Sequence, residues 1–115
     1  MQCGVNCTLA SNNILNPFTP FGDGSLTRMA NLYANVVQRG TAAELAECFA
    51  MNTQRAARLI RRDDYGIAVG KPADIAVWDT RDPAEAVATV ARPLFAFKAG
   101  RRTFTATRPV LHKPG

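Results

Sequence analysis

Histidine is nearly absent from the sequence: its 115 residues contain one, His112, near the C-terminal end. A lone imidazole in a pattern-free stretch reads as a surface residue. Long apolar runs are missing too, and none approaches the 18 or more residues of a membrane-crossing helix. The opening Met1-Gln2-Cys3-Gly4 has no basic or apolar leader region, so no signal peptide is expected. An even set of cysteines is lacking. The three present, Cys3, Cys7 and Cys48, suit a reducing, cytoplasmic compartment better than a disulfide framework. Length is also short. A closed eight-stranded α/β barrel takes roughly 250 residues, so this chain alone makes none, though it suffices for one ordinary domain. The composition that remains is globular, with 47% hydrophobic and 20% charged residues, which excludes disorder and collagen-like fibres.

Fourteen Lys and Arg against nine Asp and Glu give a formal charge of +5. The excess permits contact with nucleic acid but is scattered: Arg55, Arg58, Arg61 and Arg62, then Lys98, Arg101 and Arg102, then Arg108 and Lys113. Asp63 and Asp64 follow the first group directly. Such spacing reads as a solvated helix end and a hairpin turn rather than a nucleic-acid stripe. Cys3 and Cys7 share a strand face, but a metal there would need more ligands and no histidine is near. Buried free thiols are expected.

The order of elements indicates a mixed α/β chain. Residues 4–10 alternate Val5, Cys7 and Leu9 on one face and predict a short strand. Residues 11–24 form a loop crowded with Asn12, Asn13, Asn16, Pro17, Pro20, Gly22 and Gly24, into which Phe18 and Phe21 intrude. Ser25 is placed to cap a helix whose stripe is Leu26, Met29, Ala30, Tyr33, Val36 and Val37, with Gly40 closing it in a left-handed conformation. Thr41-Ala42-Ala43-Glu44 is a capping box, followed by the stripe Leu45, Cys48 and Phe49. Thr53 is expected to cap a shorter helix carrying Ala56, Ala57, Leu59 and Ile60.

Composition then shifts. Residues 63–66 and 70–72 are turns, and 74–79 form the clearest strand, apolar on both faces and therefore expecting cover on both. Pro83 to Val90 suits one or two helical turns with proline in the first position. Leu94 to Lys98 and Arg102 to Thr105 read as a hairpin, with Phe95 and Phe97 on one face. The expected division is 1–62 for the strand, loop and helices, 63–106 for the short strands, and 107–115 for a mobile tail. Asp74 is expected to accept backbone hydrogen bonds from the 70–72 turn and Trp78 to pack, while Asp23-Gly24-Ser25 resembles a helix-start anion site that a cap explains as well.

Gly66-Ile67-Ala68-Val69-Gly70-Lys71-Pro72-Ala73-Asp74-Ile75-Ala76-Val77-Trp78-Asp79 resembles the C-terminal signature of the amidohydrolase superfamily. Asn52 to Leu59 resembles the family's last barrel-side helix. Gly4-Val5-Asn6, Asn12 to Phe18, and Pro20-Phe21-Gly22 resemble the eighth barrel strand and its loop in cytosine-deaminase-like members. The resemblance implies the last βα unit of a TIM-type barrel plus helices, then strands of a composite β-sandwich. It also implies a divalent metal, zinc or iron, at the barrel mouth. Carried over by position, the metal-binding aspartate falls on Asn12, its acidic neighbour on Asn13, and the substrate-facing aromatic on Phe18.

At Asn12 the sequence departs from the family. A carboxylate brings charge to a metal and accepts a proton, whereas a carboxamide is a neutral acceptor and no general base. The family's histidine pairs belong to earlier strands, so no complete metal site is expected within this chain alone. Two readings follow. The chain is part of a metal-dependent hydrolase acting on C–N bonds of cyclic amidines or amides, completed by a missing barrel portion and binding a small heterocycle. Alternatively it is a non-catalytic fragment that self-associates as a binding or assembly module. No membrane partner is expected.

Overall fold

Local chemistry sets where the helices begin. In a computed structural model describing residues 4–107 and 109–113, α1 spans Leu26–Val36, and the Ser25 hydroxyl accepts from the Arg28 amide at 3.2 Å. Helix α2, Ala42–Asn52, opens with the complete capping box: Thr41 accepts from the Glu44 amide, and the Glu44 carboxylate accepts from the Thr41 amide. Helix α4, Pro83–Ala88, has proline in its first turn and Asp82 accepting from the Glu85 amide at 2.8 Å. Helix α3, Gln54–Leu59, lacks the expected cap. The Thr53 hydroxyl turns back to the Phe49 carbonyl at 3.1 Å instead, because Thr53 also ends α2. The expectations for Cys3, Arg108 and the final two residues lie outside the described residues.

Three helix ends share one device. Gln38, Arg61 and Val90 adopt φ of 55°, 55° and 51°. The next amides, of Arg39, Arg62 and Ala91, reach back to Ala34, Ala57 and Ala86 at 2.8, 2.9 and 2.9 Å. These are Schellman closures with a non-glycine residue in the left-handed position. Gly40, expected to fill that role after α1, lies two residues too late; its amide donates to Glu44 at 3.1 Å.

The buried face of α1 is also rotated from expectation. Thr27, Ala30 and Ala34 are buried, while Leu26, Val36 and Val37 are exposed. Small side chains let α1 approach α2 and α4 closely. The approach is fastened by Thr27 Oγ1 donating to the Ala91 carbonyl at 3.1 Å and by Asn31 Nδ2 donating to the Val87 carbonyl at 3.0 Å. The core is Ala30, Ala34, Cys48 and Val87, with Leu9, Tyr33, Leu45 and Phe49 packed against it. In α3 only Ala57 is buried; Leu59 and Ile60 face solvent.

Residues 4–10 form no strand, contrary to expectation. A strand needs a ladder partner, and this segment donates one backbone hydrogen bond among the described residues, Leu9 N–H to the Met51 carbonyl at 3.4 Å. Cys7 is half-buried rather than buried.

The sheet is antiparallel in the order β1 (Ile75–Trp78), β2 (Pro93–Lys98), β3 (Arg101–Thr105). Ile75 lies opposite Phe97 and Val77 opposite Phe95. The two phenyl rings meet edge to face at 6.4 Å under the Arg102 guanidinium, 5.6 Å from each centroid. Ala99 and Gly100, both at positive φ, form a two-residue turn whose twist suits a hairpin. The Asp74 amide donates to the Pro72 carbonyl at 2.9 Å, but its carboxylate does not accept from the 70–72 turn. It accepts from the Ala99 amide at 2.8 Å and pairs with Lys98, which brings the start of β1 to the hairpin. Trp78 stacks edge-on against Phe49 at 5.7 Å and ties the sheet to α2. The whole is a mixed α/β arrangement with one small sheet.

Candidate functional site

The three residues singled out by resemblance, Asn12, Asn13 and Phe18, lie in the loop between the extended segment and α1. Asn12 is exposed with φ of 58°, Asn13 is half-buried, and Phe18 is 88% exposed. Left-handed backbone suits Asn because its short polar side chain bonds locally.

The loop tip is built by Asn16. Its carboxamide oxygen accepts from the Phe18 and Thr19 amides, both at 3.0 Å, while Asn16 and Thr19 exchange backbone bonds of 3.0 and 3.1 Å. This asparagine turn projects Phe18 outward. The Leu15 amide donates to the Phe21 carbonyl at 3.4 Å, closing the loop below the tip. Gly22 is required there: at φ of 109°, a Cβ would lie 2.9 Å from Ile14 Cγ2.

Asp23 anchors the returning end. Its carboxylate accepts from the Ser25 amide at 3.0 Å and from Arg28 at 2.9 and 3.3 Å, and it pairs with Arg92 at 3.3 Å. The Arg28 bond, then the Ser25 amide, hold its carboxyl near pH 2, well below the usual carboxylate range. The carboxylate occupies the place an incoming anion would take at the start of α1, so the cap reading of 23–25 stands. The Asp23–Arg28 spacing is visible in sequence; Arg92, 69 residues away, left no local signal.

Asn6 joins the extended segment to α3 through Nδ2, which donates to the Arg55 carbonyl at 3.0 Å; its Oδ1 is buried without a hydrogen-bond partner among the described residues. Burial raises the Cys48 thiol above its ordinary range, as suits a packed free thiol. Asp64 pairs with Arg62 through bonds of 2.6 and 2.9 Å in a solvated turn.

Among the described residues, no three His, Cys, Asp or Glu side chains converge as metal ligands, and His112 is exposed. With a neutral carboxamide at Asn12, the donors present do not by themselves fit a catalytic divalent metal, which takes at least three protein ligands. Asn12, Asn13 and Phe18 offer instead a polar acceptor and donor set and an aromatic face on one loop. No helix among the described residues is long and apolar enough to cross a membrane.

Comparison with known proteins gives these residues a context. The amidohydrolase family profile matches residues 1–104. N-isopropylammelide isopropyl amidohydrolase of Pseudomonas sp. (strain ADP) is 32% identical over 102 residues, 88% of this chain and 25% of that protein. The crystal structure of Klebsiella pneumoniae 5-methylcytosine deaminase liganded with 5-fluorocytosine superposes with a TM-score of 0.87 and 28% identity. That match covers 96% of this chain and 27% of the deaminase. N-isopropylammelide isopropylaminohydrolase of Burkholderia multivorans superposes with a TM-score of 0.72 and 26% identity over 77% of this chain and 23% of that one. The chain thus spans about a quarter of the length of these relatives.

Proposed function

The chain belongs to the amidohydrolase family, and from that premise we propose that it is the C-terminal portion of a cytosine-deaminase-like hydrolase. The family is generally metal-dependent. In this reading residues 1–62 end the catalytic barrel with its last βα unit, and 63–106 contribute strands to an accompanying β-sandwich. The reaction is hydrolysis of a C–N bond in a cyclic amidine or amide. The observation that carries the reading is the 0.87 superposition on 5-methylcytosine deaminase across 96% of the chain.

In this reading a divalent metal would take its ligands from polypeptide outside this chain; Asn12 would lie beside it, and Asn13 and Phe18 beside the heterocycle. Asn13 supplies hydrogen-bond donors and an acceptor to ring heteroatoms, and the exposed phenyl of Phe18 offers its face to a planar ring. Asn12 accepts a hydrogen bond but takes no proton, so it orients rather than acts as base. Its neutrality also favours a second reading, a binding module without turnover.

Co-expression with the remaining three quarters of the Pseudomonas relative tests the two. Metal content and amine or ammonia release from cytosine and N-isopropylammelide are measured with Asn12 and with Asn12→Asp. Turnover that rises at least tenfold in N12D supports the hydrolase reading. A complex that holds stoichiometric metal but hydrolyses neither compound, with Asn or Asp at position 12, refutes it in favour of the module.

A further inference from the structure

Asparagine is a chemically labile residue, because its side-chain amide can be displaced by the backbone nitrogen that follows it. The reaction needs a carboxamide free to turn, a following N–H without a partner, and a backbone that can rotate between them. Most asparagines of this chain fail one condition. Asn16 precedes Pro17, which has no N–H, and its carboxamide holds the loop tip. Asn31 and Asn35 lie inside α1, where the following amides belong to the helix ladder. Asn52 ends α2, and the Thr53 amide donates to the Ala50 carbonyl at 3.2 Å. Asn6 is half-buried and bonded through Nδ2 to the Arg55 carbonyl. Asn13 precedes Ile14, whose branched Cβ shields its own amide. Asn12 meets every condition. It is exposed and outside any helix or strand, and among the described residues neither its carboxamide nor the Asn13 amide has a hydrogen-bond partner. The loop is fastened at Asn16 and Asp23, so rotation at position 12 breaks no support.

We propose that Asn12 is a self-deamidation site. The Asn13 backbone nitrogen, on losing its proton to solvent base, attacks Cγ of Asn12. A nitrogen–carbon bond forms, the Cγ–Nδ2 bond breaks, and ammonia leaves with a proton from solvent. Water then opens the cyclic imide at either carbonyl, giving aspartate or isoaspartate. In balance, one water enters and one ammonia departs, with no oxidant, reductant or cofactor. The product carries a carboxylate in place of a carboxamide and removes one unit of the +5 formal charge. The modification follows from the geometry of this chain by itself. Its consequence rests on the hydrolase reading: the aspartate product restores a carboxylate where the resemblance places the metal-binding aspartate. The residue encoded at position 12 is then the precursor of the one used.

The test holds the purified chain at mildly alkaline pH and follows its asparagines by fragmentation mass spectrometry; the tryptic peptide ending at Arg28 carries Asn6, Asn12, Asn13 and Asn16. Asn12 should gain the mass of an acid exchanged for an amide at least tenfold faster than any other asparagine. The aspartate and isoaspartate forms should separate by chromatography, and both should take up heavy oxygen from labelled water. Conversion should quicken as pH rises. Asn13→Gly, which unshields the attacking nitrogen, should speed it at least fivefold, and Asn13→Ile should slow it at least fivefold. No conversion, conversion as fast at Asn6 or Asn13, or indifference to N13G and N13I overturns the proposal. Fresh and aged chains, each combined with the remaining three quarters of the Pseudomonas relative, are then compared for metal content. More metal with the aged chain supports the consequence. Conversion without any gain of metal leaves the modification standing and sinks only the carboxylate's place in the hydrolase reading.

Discussion

Val87→Ala is the sharpest probe of the core, because Val87 is the largest fully buried side chain among the described residues, with 0% exposure. The substitution removes two buried carbons, worth about 1.6 kcal/mol at about 0.8 kcal/mol each. The space left behind, roughly 40 Å³, adds about 1 kcal/mol at about 24 cal/mol per Å³ if the surroundings hold their positions. They are built to hold. The facing residues Ala30 and Ala34 have no side chain to swing inward. The helices carrying the two sides are pinned by the Asn31–Val87 and Thr27–Ala91 bonds of 3.0 and 3.1 Å. The expected loss is therefore about 2.5 kcal/mol, a large share of the roughly 5–15 kcal/mol typical of a domain. Urea unfolding followed by far-UV circular dichroism should show the midpoint falling by about 1 M at a urea dependence of about 2 kcal/mol per M. The matched control is Val36→Ala, identical chemistry at a side chain 73% exposed, expected to stay within about 0.5 kcal/mol. Equal losses in the two variants, or a loss at Val87 below about 0.5 kcal/mol, would refute this account of the core.

Gln38→Gly should raise the unfolding midpoint by relieving a left-handed residue, worth about 1 kcal/mol, whereas Gly40→Ala should be nearly neutral in the same urea titration. Thr41→Ala removes the capping-box acceptor and should cost about 1 kcal/mol, read as loss of midpoint together with faster amide exchange at residues 42–45. Two carboxyls, Asp23 and Glu44, sit near pH 2 in the folded chain, Asp23 chiefly through Arg28 and Glu44 chiefly through the Thr41 amide. Because folding lowers both, their stabilisation is complete above the ordinary carboxylate range, about pH 4. It is lost as pH falls from there toward about 2. Unfolding midpoints measured from pH 5 to 2 should therefore fall, and the double variant Asp23→Asn, Glu44→Gln should flatten that slope.

What the sequence discloses depends on how far each feature reaches. The Thr41–Glu44 box, the proline at the first position of the helix from Pro83 and the alternation of Phe95 and Phe97 involve neighbours within four residues, and all are found as read. The 4–10 segment carries the right alternation yet forms no strand, since a ladder is a property of two segments. The expected α1 stripe holds at Ala30 and Tyr33 but misses Thr27 and Ala34, because close helix approach favours small side chains over Leu26 and Val36. Asp74 finds Lys98 and Ala99 24 and 25 residues away, and Asp23, held chiefly by nearby Arg28, also reaches Arg92 69 residues away, where no local spacing reveals the pairing. The loop carrying Asn12, Asn13 and Phe18 was legible as a loop from its Asn, Pro and Gly content. Within it, the Asn16 turn is local, bonding residues two and three positions on, while Gly22 is forced by a contact with Ile14 across the loop.

Position 12 separates architecture from chemistry unusually cleanly. Its left-handed backbone is one that Asn and Asp both tolerate better than other non-glycine residues, and its side chain is exposed. Backbone geometry therefore gives no reason for one over the other; the difference between them is a charge and a proton-accepting oxygen. The loop is held elsewhere, by Asn16 at its tip and by Asp23 at its return, so exchanging Asn12 for Asp leaves those supports untouched. A change in metal retention or turnover in N12D then reports electrostatics alone, while an unfolding midpoint shifted by more than about 0.5 kcal/mol, beyond the usual span of exposed substitutions, would show that Asn12 carries structural weight that its exposure does not suggest.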